Sequence, residues 1–225
     1  MKRILLLLLS FIPLLVFAKQ NESWFSIGIK PGVMYYQGDI NKSRLFYAPD
    51  FSRGGFAALH FNERYATKIS IEKGTAKGAV KDFNNIPQFN PNENFNSPLL
   101  DINLQVDFNF LPITPFEIRT KNFSTYVSAG FGMEFLMKDF PKTRFSIPFG
   151  IGADYLFGEN WGIGIEWNYK KLLYDNLDGK INHTNGSLFL NNDWISVLGI
   201  KVYYNILGTP YECHTYDDKS KSKRR

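Results

Sequence analysis

The sequence predicts an all-β fold, an eight-stranded antiparallel transmembrane β-barrel with long outer loops and a C-terminal tail. Three observations carry that expectation: an apolar leader, eight segments in which apolar and polar residues alternate, and connections that are alternately short and long. In the leader, Lys2 and Arg3 precede an apolar run over 4–17. Small residues at Val16 and Ala18 permit cleavage before Lys19, the pattern of a secretory signal peptide. The run is shorter than the ~20 residues that a spanning helix requires. Residues 1–18 therefore read as a signal peptide, 19–207 as the barrel and 208–225 as the tail. No cysteine follows the apolar run, which excludes an N-terminal lipid anchor.

The clearest of the eight segments is LLDINLQVDFNF at 99–110. Leu100, Ile102, Leu104, Val106, Phe108 and Phe110 alternate with Asp101, Asn103, Gln105, Asp107 and Asn109. A helix would mix the two sets around its circumference, whereas a strand separates them onto opposite faces. In chain order, WFSIGIKPGVMYY sets Phe25, Ile27, Ile29, Val33 and Tyr35 against Ser26, Gly28, Lys30 and Gly32. GGFAALHF is weaker, with Ala57, Leu59 and Phe61 against Phe56, Ala58 and His60. YATKISIEK opposes Tyr65, Thr67, Ile69 and Ile71 to Ala66, Lys68, Ser70 and Glu72. After the 99–110 segment, FSTYVSAGFGMEF sets Val127, Phe131 and Met133 against Ser128, Gly130, Gly132 and Glu134. FSIPFGIGADYLF sets Ile147, Phe149 and Ile151 against Ser146, Gly150, Gly152 and Asp154. WGIGIEWNYK sets Ile163, Ile165 and Trp167 against Gly162, Gly164, Glu166 and Lys170. In DWISVLGIKVYYN the phase that turns Trp194, Leu198, Ile200, Val202 and Tyr204 outward directs Asp193 and Lys201 inward.

Connections at 62–64, 111–122 and 158–160 are the short set, and those at 38–53, 74–97, 136–144 and 172–191 the longer one. Outer-membrane barrels have this asymmetry and an even number of strands. Trp24, Tyr36, Tyr65, Phe110, Phe123, Phe145, Phe157, Trp161, Trp194 and Tyr204 lie at segment ends, where aromatic girdles are expected. The apolar faces hold bulky Phe, Ile, Leu and Trp, whereas the polar faces hold Gly and Ser beside single charges. A water-exposed face needs few glycines, but a narrow eight-stranded interior needs many. The apolar faces are thus assigned to lipid. Lys30, Lys68, Lys170 and Lys201 then face inward with Glu72, Asp101, Asp107, Glu134, Asp154 and Glu166. Their mixed signs point to a salt-bridged plug rather than a pore.

The net charge of +5 falls to +3 without the leader, and five cations lie in the last seven residues, KSKSKRR. The body lacks the basic stripe of a nucleic-acid-binding protein. No G-x-S-x-G, H-E-x-x-H, phosphate-cradling loop or EF-hand string occurs. No catalytic, metal or cofactor residues are assigned, and none of His60, His183 and His214 is tied by local motif to a serine such as Ser52 or Ser97. Cys213 is the only cysteine and lies in the tail GTPYECHTYDDKSKSKRR, flanked by Tyr211, His214 and Tyr216. A leftover cysteine in an exported chain is either incidental, a reactive thiol, or a site of intermolecular pairing.

LQVDFNFLP, YVSAGFGMEF, FSIPFGIGADYLFGENWGIGIEWNYKKLLYD and NNDW together resemble the Bacteroidetes outer-membrane barrel family that includes PorG, a component of the type IX secretion apparatus. The loop string YDNLDG is more compact than the family form. The resemblance implies a non-enzymatic anchor that holds a periplasmic ring of a lipoprotein and its partner, PorK and PorN or their counterparts, to outer-membrane lipid. The isolated thiol in the tail, placed in the periplasm by the even strand number, adds the expectation that the tail docks that ring, with Cys213 as the place of a covalent link. Two readings of other classes stay open: an outer-membrane lipid-modifying enzyme using His60 or His183, and a surface adhesion or defence barrel acting through the 74–97 loop.

Overall fold

The computed structural model describes residues 23–38, 41, 44–83, 94–137, 143–173 and 193–207. Among these, nine antiparallel strands close into a ring: β1 (Trp24–Ile29), β2 (Gly32–Gln37), β3 (Asp50–His60), β4 (Tyr65–Ala79), β5 (Asn94–Asn109), β6 (Phe123–Leu136), β7 (Thr143–Leu156), β8 (Trp161–Leu172) and β9 (Trp194–Leu207). They fill eight positions, because β1 and β2 are one strand interrupted at Pro31. Both halves pair with β3 and β9 without a slip: Ile29 faces Val202, and Gly32 faces Gly199. Pro31 has no N–H to donate, yet its carbonyl still accepts from Ile200 N at 2.9 Å, which carries the ladder through the break.

The register fixes the slant of the wall. From Phe25, partners run through Leu59, Thr67, Val106, Ala129, Phe149, Tyr169 and Ser196 to Tyr35, ten residues further along the first strand. Eight strands with that stagger tilt by about 35–45°. A level contour therefore slips by a little over one residue at each strand. On such a contour Phe25, Tyr65, Phe110, Phe123, Tyr155, Trp161 and Tyr204 form one outward girdle near the short turns. Tyr35, Leu100, Phe145, Lys171 and Trp194 lie about 25 Å above them, the height of the apolar band of such barrels. Between the two, exposed Ile27, Ile69, Leu104, Phe131, Ile151, Ile165 and Ile200 clothe the wall.

The alternation places the apolar faces outward on all strands, and the chosen phase of β9 holds: Trp194 to Ile206 alternate outward while Asp193, Lys201 and Asn205 are buried. Three expectations are corrected. Trp24 and Tyr36 do not belong to girdles. Both point inward, Trp24 stacked on the His60 ring at 4.3 Å and Tyr36 donating to Asp193 at 2.5 Å. The 74–97 connection is strand at both ends, since β4 runs on to Ala79 and β5 begins at Asn94, with a ladder that reaches the Ala79–Asn94 pair. Its Asn and Pro residues gave a loop-like composition, but the ladder continues past the lipid band, where small and polar residues suit a solvated hairpin. The 38–53 connection likewise shortens, because β3 starts at Asp50. The signal peptide 1–18 and the tail 208–225 lie outside the described residues.

Candidate functional site

Among the described residues the interior is where the fold gathers charged side chains out of water, and the ten predicted lumen residues all point into it. Nine are buried and Asp154 is half-buried. Glu166, on β8, is the hub. Lys30 from the first strand donates to it at 2.8 Å, Asn168 at 2.6 Å and Tyr126 from β6 at 2.5 Å. Lys68 from β4 makes a further contact, and Lys201 from β9 stands at 3.9 Å. Each lysine also reaches a second carboxylate: Lys30 pairs with Glu72, Lys68 with Asp107 at 3.1 Å, and Lys201 with Asp154 at 2.8 Å. Lys170 bridges Glu72, at 3.2 Å, and Asp101.

Burying these charges singly would be prohibitive. Shared donors and alternating signs offset much of the desolvation cost. The small residues on the same face make room for them. A side chain at Gly152 would collide with the Tyr126 ring, its Cβ 2.4 Å from Cζ, and one at Gly162 would meet the Tyr203 ring in the same way. These glycines let an aromatic ring from the neighbouring strand lie across the backbone, and Tyr126 thereby reaches Glu166.

Glu134, opposite Asp101 across the β5–β6 ladder, faces Arg144 across the β6–β7 ladder. Arg144 is a buried interior cation that the sequence reading missed by opening that strand at Phe145. Its even number, in phase with Ser146 and Gly150, was the available signal. A neutral layer joins the cluster, with Gln105 Nε2 donating to Ser128 and to Asn168, both at 3.1 Å.

Apolar layers close the interior at both ends, a feature the alternation did not disclose. Toward the long loops, Met34, Tyr36, Leu99, Leu136, Leu172 and Ile195 pack together with Phe95 and Phe83 against them. Toward the short turns, Phe56, Ala58, Leu156 and Tyr203 pack with Ile113 and Ile118 of the 111–122 turn, which folds back beneath the barrel. Thr114 caps the short 3₁₀ turn over Pro115–Glu117 by accepting from Phe116 N at 3.4 Å. Lys121 pins it to the neighbouring turn through Glu63 at 2.6 Å.

Of the histidines, His60 lies near this lower closure, its Nε2 3.0 Å from Ser26 Oγ, which donates to Asn205 at 2.7 Å. This is a serine–histidine contact that sequence spacing gave no hint of. It has no carboxylate behind the imidazole and sits beneath Trp24. Ser52 and Ser97 are also buried. His183, Tyr211, Cys213, His214 and Tyr216 lie outside the described residues. Among the described residues no group of three His, Cys, Asp or Glu side chains is arranged to hold a metal. The charged belt is therefore a locked cross-brace, with apolar material above and below it.

Residues 4–197 match the family model described as the outer membrane protein beta-barrel domain. No curated protein matches the chain. Among solved structures, Neisserial surface protein A is 13% identical with a TM-score of 0.50, covering 80% of this chain and 96% of that one. Ail, the attachment invasion locus protein of Yersinia pestis, is 12% identical at 0.49, with 82% and 99% covered. OprG of Pseudomonas aeruginosa is 11% identical at 0.46, with 84% and 98% covered. At such identities the likeness is one of fold alone.

Proposed function

The chain belongs to the outer membrane protein beta-barrel domain family and is an integral outer-membrane protein, and from that premise we propose that it is a non-enzymatic anchor of the type IX secretion apparatus. In this reading it holds a periplasmic ring of a PorK-like lipoprotein and a PorN-like partner against the outer membrane. The observation that carries the reading is the closed interior: Glu166 and its lysines brace the middle while apolar layers cover both ends. A barrel whose described interior is filled in this way acts through its ends. The strand strings that resemble the PorG family favour secretion as the process served. The tail, with Cys213 between Tyr211 and His214, is the segment assigned to the ring, and a disulfide at Cys213 would make that contact resist pulling. The lipid-modifying alternative gains little from the Ser26–His60 contact, which is covered by Trp24 and lacks an acid.

Deleting 208–225 in cells tests the reading. The barrel is expected to insert and remain heat-modifiable on electrophoresis, while cargo secretion fails and ring subunits no longer co-purify. Normal secretion by the truncated chain would overturn the anchor role. Non-reducing electrophoresis of outer membranes with Cys213→Ser alongside tests the covalent link, which requires a high-mass band that reduction and the substitution both abolish.

A further inference from the structure

The outward face of the strands carries four charged residues among those described: Arg53, Lys73, Lys77 and Lys171. All four are cations, and all lie in the half of the barrel nearer the long loops. Within the lipid band no carboxylate stands at an outward strand position, although six of the interior positions hold one; Asp50, the first residue of β3, lies at the upper end of its strand. Lys77 has a partner in Asp50 at 2.9 Å, and Lys171 rests over the Trp194 ring at 4.7 Å. Arg53 and Lys73 differ. They face each other directly across the β3–β4 ladder, both are exposed, and among the described residues no carboxylate pairs with either.

Like charges directly opposite in a sheet repel, and a cation on a lipid-facing wall is costly unless it reaches the interface. Lys73 lies about 4 Å below the upper girdle contour. Arg53 is set about 7 Å below the contour through Asp50, within reach of the interface for a long side chain that extends along the wall. Gly55, next outward along β3, has no side chain to block it, and Ile71 and Phe51 flank it with apolar surface. Two converging cations, one with a planar two-pronged donor, are the arrangement that recognises a phosphate. At this depth and at this end of the barrel, the phosphate available is that of the phosphorylated glycolipid of the outer leaflet.

We propose that Arg53 and Lys73 form a binding site on the barrel's outer wall for the phosphate of an outer-leaflet glycolipid of the lipid A type, with Phe51 and Ile71 against its acyl chains. The bound anion cancels the repulsion between the two cations and fixes the vertical position and rotation of the barrel against its lipid. The site is independent of the secretion reading, requiring only that the chain span the outer membrane with its long loops outward.

The test uses the full-length mature protein in detergent micelles, with native mass spectrometry to count retained lipid. Bis-phosphorylated lipid A, its dephosphorylated form and phosphatidylglycerol are the three probes. One retained phosphorylated lipid A per barrel is expected, weakened ~10-fold or more in Arg53→Gln/Lys73→Gln. Each single substitution is expected to give part of that loss, and Lys171→Gln none of it. Because these side chains are exposed, folding is checked by heat-modifiability, and the single variants stand in should the double variant fail. Equal retention by the folded variants, or of dephosphorylated lipid A by the native protein, would overturn the site. Equal, Arg53-dependent retention of phosphatidylglycerol would overturn the assignment to the glycolipid.

Discussion

The charged belt and the apolar layer toward the loops are built from alternate residues of the same strands. On β4 the inward series runs Lys68, Ser70, Glu72 and then Gly74, Ala76. On β9 it runs Lys201 and then Val197, Ile195. A few residues along one face convert a region where every side chain needs a partner of opposite sign into one where only shape matters. The two regions are equally buried, yet they should fail in different ways. In the belt a change of charge at constant shape is damaging. In the layer a change of shape is damaging, and a swap at constant volume is tolerated.

Glu166→Gln gives the largest expected effect. The amide has the same shape, but Lys30, Lys68 and Lys201 would then face a neutral hub. Breaking a buried ion pair by removing one partner typically costs about 3–5 kcal/mol. Urea unfolding of refolded protein in lipid vesicles reads this directly. A loss below about 1 kcal/mol would mean that water solvates the lysines, and the belt would not be a dry cross-brace. Leu99→Ala, in the fully buried layer, should cost about 2–4 kcal/mol by leaving a cavity, whereas Leu99→Met should cost less than about 1.5 kcal/mol. If the methionine were as harmful as the alanine, the proposed contrast between the regions would collapse.

The strands and their facing were legible in the sequence because a two-residue period survives any change in what an inward residue does. Depth along the strand was not legible. Leu99 and Asp101 are both inward, and period alone cannot say that one meets Leu136 while the other meets Lys170. Trp24 and Tyr36 were misplaced for a different reason. Terminal aromatics suit a girdle by composition, but their phase with Ser26 and Met34 puts them inside. The interior cations and carboxylates were identifiable one by one, whereas their pairing depends on the ten-residue stagger, which brings Lys170 opposite Glu72 across the lumen. Arg144 escaped because the strand boundary was drawn one residue late. The apolar closure by Ile113 and Ile118 had no sequence signal, since a twelve-residue turn rich in Pro and Thr reads equally well as a solvated loop.

Gly152→Ala sharpens the comparison with a smaller change. The added methyl cannot coexist with Tyr126 in its present place, so the ring must move and its bond to Glu166 must lengthen. Overpacking of this kind costs about 1–3 kcal/mol. The same added methyl with Tyr126→Phe should recover only part of the loss, because the added Cβ would meet Cζ and Cε1 of the ring as well as the hydroxyl. With Tyr126→Ala it should recover most of the packing penalty, so a double-substitution series separates shape from hydrogen bonding within the belt itself.

The smallest effect lies outside the membrane band, at the turn that closes the lower mouth. Lys121 holds Glu63 at 2.6 Å and Glu117 at 3.0 Å. The hydrogen bond that it donates to Glu63, then that to Glu117, raises its ammonium above the ordinary lysine range. A cation whose folded value is raised adds stability that is fully present below the unfolded lysine value, about 10.4, and is lost as the pH climbs through the folded one. Lys121→Gln should therefore lower the unfolding midpoint slightly at pH 8, and the two proteins should converge once the pH has passed the raised folded value. Because the pair is open to solvent, salt should shrink the difference as well. A variant that instead loosened the whole barrel at every pH would show that the 111–122 turn carries the lower closure through Lys121, and that Ile113 and Ile118 alone do not keep it seated.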